Sequence, residues 1–291
     1  MVLIGRRSLI AYNGADSGLG NRVRVTLGAR VLAEHENRAL YYVWPTGKLF
    51  GPTFEDLWDF QGGTRIPRAV SRALERIYPY ENADVSAPSP QVRARRVRQI
   101  RTGGELQLPP GLRSWREEFR DLTVNPAIGD RIRRVFDDEL RGRPYVGVQI
   151  RAHAVSHQRT KEASPVSWFE ERMRAIVAEH PNIAFFVSAD VPEVLDRMKA
   201  LFPHVVGLTD KGGYNTTEGV RSAVADLYLL ASSHYILGSH YSSFLHLAGY
   251  LADGKVPIET SQHATPTHLQ LPASPAVEDA RIPSVRLHTE S

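Results

Sequence analysis

The chain has 291 residues, 42% of them hydrophobic and 23% charged, with a formal net charge of +4. This composition is typical of a globular protein with one large or two modest domains, and two is the preferred division. The absence of cysteine excludes disulfides, thiolate nucleophiles and cysteine-ligated zinc. The positive charge favours anionic partners without distinguishing nucleic acid from a phosphorylated small molecule.

The N-terminal sequence and the hydropathy predict a cytoplasmic protein without a membrane span. No apolar run reaches the roughly eighteen residues that a spanning helix needs. The segment MVLIGRRSLI places Arg6 and Arg7 after its first apolar residues, which reverses the order of a secretory signal.

The N-terminal half begins as a strand, a glycine turn and a helix. The apolar run SLIAYN (8–13) precedes GADSGLGN (14–21), and NRVRVTLGARVLAEHEN (21–37) has apolar residues near helical spacing. The run RALYYVW (38–44) then predicts a second strand parallel to the first. Further along, the basic run VRARRVRQIR (92–101) predicts a surface helix or strand.

A charged helix over 126–144 is followed at once by the apolar strand YVGVQIR (145–151), so the domain boundary is placed between residues 142 and 143. From there on, strands and helices alternate four times, and the first helix (164–181) has a capping-box-like spacing of Ser167 and Glu170. The four strands are YVGVQIR (145–151), NIAFFVSAD (182–190), VVGLT (205–209) and YILGS (235–239). This alternation predicts an α/β domain with a parallel, doubly wound sheet over 143–291. The C-terminal tail is a candidate to pack back on the N-terminal domain.

Polar residues follow each of the four predicted strands of the second half. Because the carboxyl ends of parallel strands meet at one edge, they predict a shared polar crevice. A serine that begins a helix often only caps its own backbone amides, yet two hydroxyls and free N–H groups beside a strand-end arginine also suit a diphosphate. The residues are Arg151, His153, Ser188, Asp190, Thr209, Asp210 and Ser239 to Ser243.

The glycine turn 14–21 is shaped like a cradle for an anion, although a tight turn without a ligand is equally open. It is not a phosphate-binding loop of the GxxxxGK[ST] type, and Val23 replaces the third glycine of a dinucleotide fingerprint. Its glycines would let the backbone approach a ligand, with Asn21 and Arg22 as donors. Asp16 is a candidate general base, with an Asx turn as the alternative.

Four motifs, in order along nearly the whole chain, resemble the α1,6-, α1,2- and protein O-fucosyltransferase superfamily. They are GLGNRVRVTLGARVLAEHENRALYYVW, YVGVQIRAH, FFVSAD and DLYLLASSHYILGSHYSSFLHLAGYL. The resemblance implies a GT-B fold of two facing Rossmann-like domains with mainly parallel sheets. It further implies an inverting sugar transfer without a metal or cofactor, from a GDP-sugar donor to a glycan, small-molecule or peptide hydroxyl. Residues 1–142 would then form the acceptor side and residues 143–291 the nucleotide-sugar side.

The same resemblance implies roles for individual residues. Arg151 would hold the donor diphosphate and stabilise the leaving group, a task suited to a fixed cation that acts as charge develops. Ser242 and Ser243 would lie beside it, and Asn21 would lie near the transferred sugar. The motifs and strand ends assign the other donor-binding candidates, which are Gly18, Gly20, Arg22, His153, Ser188, Asp190, Asp226, His240 and Phe244.

The chain departs from the family pattern at Gln149, where histidine is usual, and at Ala152 and Ala154, so fucose is less firmly implied than the fold. The alternative is a non-catalytic protein that binds a nucleotide sugar or an anionic polymer. The acidic run at Asp137 to Glu139 mimics a metal motif but predicts a solvated helix face. The basic run 92–101 lacks the interleaved aromatic residues that nucleic-acid binding favours.

Overall fold

A computed structural model describes residues 6–14, 17–153, 158–263 and 268–287. The chain folds into two compact α/β units. The first unit contains residues up to Asn125 together with Asn215–Thr217, and the second contains Pro126–Tyr214 and the residues from Glu218 onward.

The first unit contains a five-stranded parallel sheet in the order β4-β2-β1-β6-β5. Its central strand is buried along its whole length, as the apolar run predicts. A short antiparallel pair, β3 with β7, lies outside the sheet. The strands are β1 (Ser8–Tyr12), β2 (Ala39–Val43), β3 (Trp58–Asp59), β4 (Thr64–Arg65), β5 (Tyr80–Glu81), β6 (Val97–Arg101) and β7 (Thr123–Val124), and the helices are α1 (Leu19–His35), α2 (Arg68–Glu75), α3 (Pro90–Ala94) and α4 (Trp115–Arg120).

An aromatic cluster fills part of this unit. Trp44 stacks on Phe54 at 4.8 Å between ring centroids, and Phe54 meets Trp58 edge-on at 5.5 Å. Such ring pairs stabilise beyond the apolar area they bury. The cluster explains how the first unit forms a core over a stretch of sequence with little periodicity.

The basic run 92–101 differs from its predicted surface position. Its first residues complete α3, but its second half is β6, which pairs with both β1 and β5. Arg98 is fully buried and forms ion pairs with Glu36 and with Glu81, the latter at 2.5 Å. A buried guanidinium is tolerated here because carboxylates compensate its charge.

The second unit also has a five-stranded parallel sheet, in the order β10-β9-β8-β11-β12. The four predicted strands are confirmed, and β12 adds a fifth that the sequence did not suggest. The strands are β8 (Tyr145–Ile150), β9 (Ala184–Ala189), β10 (Val205–Val206), β11 (Tyr235–Gly238) and β12 (Ile258–Thr260), and the helices are α5 (Pro126–Val135), α6 (Gln158–Ala163), α7 (Val166–Glu179), α8 (Pro192–Leu201), α9 (Thr217–Ala231) and α10 (Ser243–Leu251). A π-helical turn over Phe136–Leu140 continues α5.

The core of the second unit lies between the sheet and its helices. Every residue of β8 and β9 is buried, as expected for parallel strands covered on both faces. Phe169 and Met173 of α7 pack in this core. The predicted capping box of α7 is wrong, because the helix begins after Pro165 and its N-cap makes no side-chain hydrogen bond.

The two units divide earlier than the predicted boundary at 142/143. Helix α5 is grouped with the second unit, where Arg131 donates to Ser222 Oγ at 2.9 Å and to the Asp210 carbonyl at 3.1 Å. The described part of the C-terminal tail is grouped with this unit. Arg286 secures it by donating to the carbonyls of Ala231 (2.9 Å) and Ser233 (2.6 Å). Among the described residues, no helix is long and apolar enough to cross a bilayer.

Candidate functional site

The polar strand ends of the second unit meet at the carboxyl edge of its sheet, as predicted. Strand β8 pairs in parallel with both β9 and β11, so the residues after these three strands are neighbours. Arg151 and His153 follow β8, Asp190 follows β9, and Ser239 follows β11. These residues form one hydrogen-bonded group.

Asp190 fixes the backbone of the loop after β8. Its Oδ1 accepts hydrogen bonds from the Ala152 N–H (2.7 Å) and the His153 N–H (2.9 Å). On the other side, the Arg151 N–H donates to Ser239 Oγ at 3.0 Å. The loop that carries Arg151 is therefore held by the ends of both adjacent strands.

The Arg151 guanidinium is one-third exposed, and its Nε lies 3.7 Å from Asp190 Oδ2. This distance is too long for a strong hydrogen bond, so the carboxylate orients the cation without occupying its donors. A guanidinium on a fixed backbone with donors available to a ligand is suited to grip phosphate oxygens.

Helix α10 begins at the same edge, with Ser242 as its N-cap. Ser242 is largely buried, yet its side chain makes no capping hydrogen bond, so the simple capping explanation for this serine is wrong. Tyr241 precedes it with a φ of 64°, a left-handed conformation that turns the chain from β11 into the helix. Ser243 is exposed and Phe244 is partly buried in the first turn. The helix start can thus offer hydroxyls and backbone N–H groups to an anion.

Asp226 of α9 lies in a buried polar group beneath this edge. Its Oδ2 accepts from Ser188 Oγ at 2.7 Å and from Lys211 Nζ at 2.5 Å. Its Oδ1 is buried and has no hydrogen-bond partner in the described part of the chain. A buried carboxylate oxygen of this kind is costly unless a donor reaches it, so it is a candidate contact for a ligand N–H group.

Two histidines predicted to approach phosphate lie in aromatic surroundings. His153 stacks on Tyr214 with ring centroids 4.9 Å apart. The Nδ1 of His240 lies 3.1 Å from Thr260 Oγ1, which in turn contacts the Nδ1 of His263 at 2.9 Å. Burial lowers the pKa of His240 below its ordinary value, and nearby His263 and Arg159 lower it further. A neutral ring would be available as a hydrogen-bonding group at pH 7.

The glycine turn of the first unit leads into α1, with Gly18 as the N-cap and Gly20 and Asn21 in the first turn. The Asn21 side chain has no hydrogen-bond partner among the described residues, and its Nδ2 lies near Gly103. Arg22 is instead almost fully buried and donates to the carbonyls of Ser17 and Pro45, both at 2.7 Å. These two hydrogen bonds within the protein compete with the hydrogen bonds that Arg22 was predicted to make to the donor.

The sequence matches no protein-family model and no curated protein. Solved structures match over most of the chain. The NodZ alpha-1,6-fucosyltransferase of Bradyrhizobium, soaked with GDP-fucose, is 19% identical, with a TM-score of 0.59 over 93% of this chain and 100% of its own.

Two further structures match at lower identity. POFUT1 in complex with GDP is 13% identical, with a TM-score of 0.55 over 89% of this chain and 99% of its own. An Arabidopsis thaliana FUT1 mutant in complex with GDP is also 13% identical, with a TM-score of 0.55 over 88% of this chain and 70% of its own. The fold of this chain is similar to that of these solved fucosyltransferases. The resemblance seen in the four motifs, and the α/β class with mainly parallel sheets, are confirmed at the level of the fold.

One polar residue near the edge of the second sheet, Lys211, was missed by the sequence analysis. Lys211 pairs with Asp226, although the sequence drew attention only to the neighbouring Thr209 and Asp210. Asp210 instead forms an ion pair with Arg131. The position of this lysine in a loop after a predicted strand could have marked it as a site candidate. Its partner Asp226 lies fifteen residues later in a helix, and no spacing in the sequence predicts that pair.

Two other sequence predictions concern Asp16 and a metal. Asp16, the candidate base, lies outside the described residues, as does His157. The acidic run Asp137 to Glu139 is exposed on the π-helical turn, as expected for a solvated face. Among the residues that the structure describes, no cluster of three or more histidine or acidic side chains could hold a metal ion.

Proposed function

We propose that this chain is an inverting, metal-independent glycosyltransferase that moves fucose, or a similar sugar, from a GDP-sugar to a hydroxyl acceptor. The observation that carries the proposal is Arg151, fixed through its backbone beside the start of α10 with donors available. Similar folds have been solved with GDP-fucose and with GDP, which supports a GDP-sugar donor.

In this mechanism the second unit holds the nucleotide diphosphate. As the sugar–phosphate bond breaks, negative charge develops on the leaving diphosphate, and interactions that strengthen with this charge lower the barrier. Arg151 and the Ser242 and Ser243 hydroxyls would supply them. Asp190 acts as a positioning residue, since it holds the loop and orients the guanidinium. The unpartnered Oδ1 of Asp226 would accept from an N–H of the base.

The acceptor hydroxyl must lose a proton in the transfer. Asp16 stays the predicted general base, and Asn21 stays the predicted contact of the transferred sugar. Gly18 and Gly20 would allow the backbone to approach that sugar closely. The acceptor-side role of the first unit belongs to the same proposal.

A donor screen tests the proposal directly. A ligand that binds the folded state raises the unfolding temperature by mass action, so GDP-, UDP- and TDP-sugars are compared by thermal shift. We expect stabilisation by GDP-sugars above the others, and slow release of GDP from GDP-fucose even without acceptor. Equal shifts for all three nucleotides, or none, would contradict a GDP-sugar site.

A second candidate is a binding protein that has lost transfer. Gln149 favours it, because this residue replaces the family histidine, is buried, and accepts from the Ser239 N–H at 3.3 Å. Its amide is thus used in the scaffold. Tight GDP-fucose binding without GDP release, with any acceptor offered, would support this candidate over the transferase.

Metal independence is testable in the same assay. We expect GDP release to survive an excess of EDTA, because Arg151 and backbone N–H groups would balance the diphosphate charge. Activity that requires added Mn²⁺ would contradict this and would direct attention to Asp137 to Glu139 as ligands.

A further inference from the structure

The carboxyl edge of the first unit's sheet carries two arginines around one buried tyrosine. Strand β6 ends at Arg101, beside Tyr12 at the end of β1, and helix α2 begins with Arg68. The guanidinium carbons of Arg101 and Arg68 lie 5.3 and 5.8 Å from the Tyr12 ring centroid. Arg101 also lies 5.7 Å from the Tyr80 ring.

Neither arginine has a carboxylate partner in the described parts of the chain. Arg98, three residues before Arg101 on the same strand, shows the contrast, because Glu36 and Glu81 neutralise it. The Arg68 Nε is buried and has no hydrogen-bond partner among the residues that the structure describes. Both cations lie over the Tyr12 ring without a carboxylate beside them, and a bound anion would be attracted to both.

Buried polar atoms at this edge also have no partner. Tyr12 is 1% exposed, and its hydroxyl makes no hydrogen bond to any described residue. Asn13 is 6% exposed, and neither its Oδ1 nor its Nδ2 has a partner within the described ranges. Buried polar groups in folded proteins are nearly always satisfied, so these atoms need a partner that the described residues do not supply.

Helix α2 has a charge pattern that is unfavourable for an isolated helix. Arg68, Arg72 and Arg76 are spaced four residues apart, and like charges at this spacing repel. Arg68 also stands at the positive end of the helix dipole, and the first turn has no acidic residue. A polyanion bound along the helix would attract all three arginines and the positive end of the helix dipole, and so would offset both unfavourable interactions.

We infer that Arg68, Arg101 and the α2 arginines form an anion-binding subsite for an acidic oligosaccharide acceptor. Forked guanidinium donors match carboxylate, sulfate and phosphate groups. Tyr80, which is partly exposed beside Arg101, offers one aromatic face to a sugar ring. Single-stranded nucleic acid would need several such faces in succession. The inference rests on the proposed transfer to a hydroxyl acceptor and names its chemical class.

The test measures binding of oligosaccharide probes by calorimetry. The probes are a galacturonic acid hexamer, its fully methyl-esterified form, a hexamer of neutral sugars that carries sulfate groups, and a single-stranded RNA hexamer. We expect the protein to bind an acidic hexamer about tenfold or more tightly than the neutral ester, with the preference weakening as salt rises. The uronate and sulfated hexamers distinguish carboxylate from sulfate, and a preference for either supports the subsite.

A double variant assigns the preference to these residues. R68Q/R101Q should lose the preference, whereas R96Q/R134Q, which removes two exposed charges elsewhere, should keep it. R68K/R101K retains both positive charges and should keep part of the preference for the acidic hexamer. A retained preference would show that R68Q/R101Q loses recognition of the anion and not its fold. Equal binding of charged and neutral hexamers, a preference that survives in R68Q/R101Q, or binding of RNA alone would overturn the inference.

The donor assays separate this inference from the proposed function. If GDP binding and GDP-fucose hydrolysis are normal but no acidic preference exists, only the anion subsite is wrong. If the acidic hexamer binds through Arg68 and Arg101 but no GDP-sugar binds, the transferase proposal is wrong and the subsite stands.

Discussion

Arg151 combines a backbone that is fixed at both sides with a side chain that is only loosely paired. Its N–H is bonded to Ser239, and its Nε is 3.7 Å from Asp190. We expect Arg151→Ala to reduce transfer by a factor of about 100 or more, since one lost electrostatic contact of this kind costs about 3 kcal/mol. Steady-state GDP release with and without acceptor measures the loss.

Two further variants control this result. Arg151→Lys should rescue poorly, because a single ammonium cannot reproduce the planar fork. Arg174→Ala removes a mostly exposed charge from α7 in the same unit and should leave the rate unchanged. Near-normal turnover of Arg151→Ala would show that the site is wrongly assigned.

Asn21 has a different expected signature, because it lies at the start of α1 in the first unit. We expect Asn21→Ala to lower turnover by about tenfold or more, as the loss of one hydrogen bond to a reacting group implies. GDP affinity should change little, since the proposed diphosphate contacts are in the second unit. Calorimetry with GDP beside turnover is the measurement, and a joint fall of affinity and rate would make the turn a nucleotide cradle instead.

At the scale of elements, the position of α10 depends on its close approach to β11. A Cβ added at Gly238 would lie 2.3 Å from Leu245 Cδ2 and 2.4 Å from Leu245 Cδ1. The Leu245 side chain or the helix that carries it would have to shift, and overpacking of this kind costs about 1–3 kcal/mol. We expect Gly238→Ala to lower the free energy of unfolding by this amount and to weaken GDP binding, because Ser242 begins the same helix.

Urea unfolding and GDP calorimetry measure the two effects. Gly142→Ala is the control, since no atom lies within 4 Å of its added Cβ and the change should be neutral or stabilising by up to about 1 kcal/mol. If Gly238→Ala destabilises the fold but leaves GDP affinity intact, the start of α10 is not part of the donor site.

At the scale of the whole molecule, stability should fall in mild acid through His234. Burial lowers its pKa, and its Nε2 contacts the Ser274 carbonyl at 2.8 Å. Above pH 7 the ring is neutral in both states, so its contribution to stability is fully present. As the pH falls through the unfolded value of about 6.5, the unfolded chain gains a proton that the folded protein resists.

The free energy of unfolding is therefore expected to fall between about pH 7 and the lowered pKa of folded His234. His234→Gln should show a smaller fall over this range than the natural protein, measured by urea unfolding at several pH values. His268→Gln is the control, because that side chain is 82% exposed. Equal pH dependence in the natural protein and His234→Gln would contradict the assignment.

Local sequence patterns were enough to predict the α/β class and the meeting of polar strand ends at the carboxyl edge of the second unit. Apolar runs and helical spacing are local features, and each strand end that carries Arg151, Ser188 or Asp190 is visible in a few consecutive residues. Parallel pairing then follows from the alternation of strands and helices, which brings those ends together. The solvated acidic run at Asp137 to Glu139 was likewise predictable from its helical context.

Which distant residues become partners depends on the tertiary fold and could not be predicted from local patterns. Strand β6 is buried although it is rich in arginine, because Glu36 and Glu81 compensate Arg98 from 62 and 17 positions away. Lys211 meets Asp226, and Arg131 joins α5 to the second unit, through contacts that no local pattern encodes. Burial of a charge is stable only when its partner arrives from elsewhere in the fold, so local hydropathy assigns such residues to the surface.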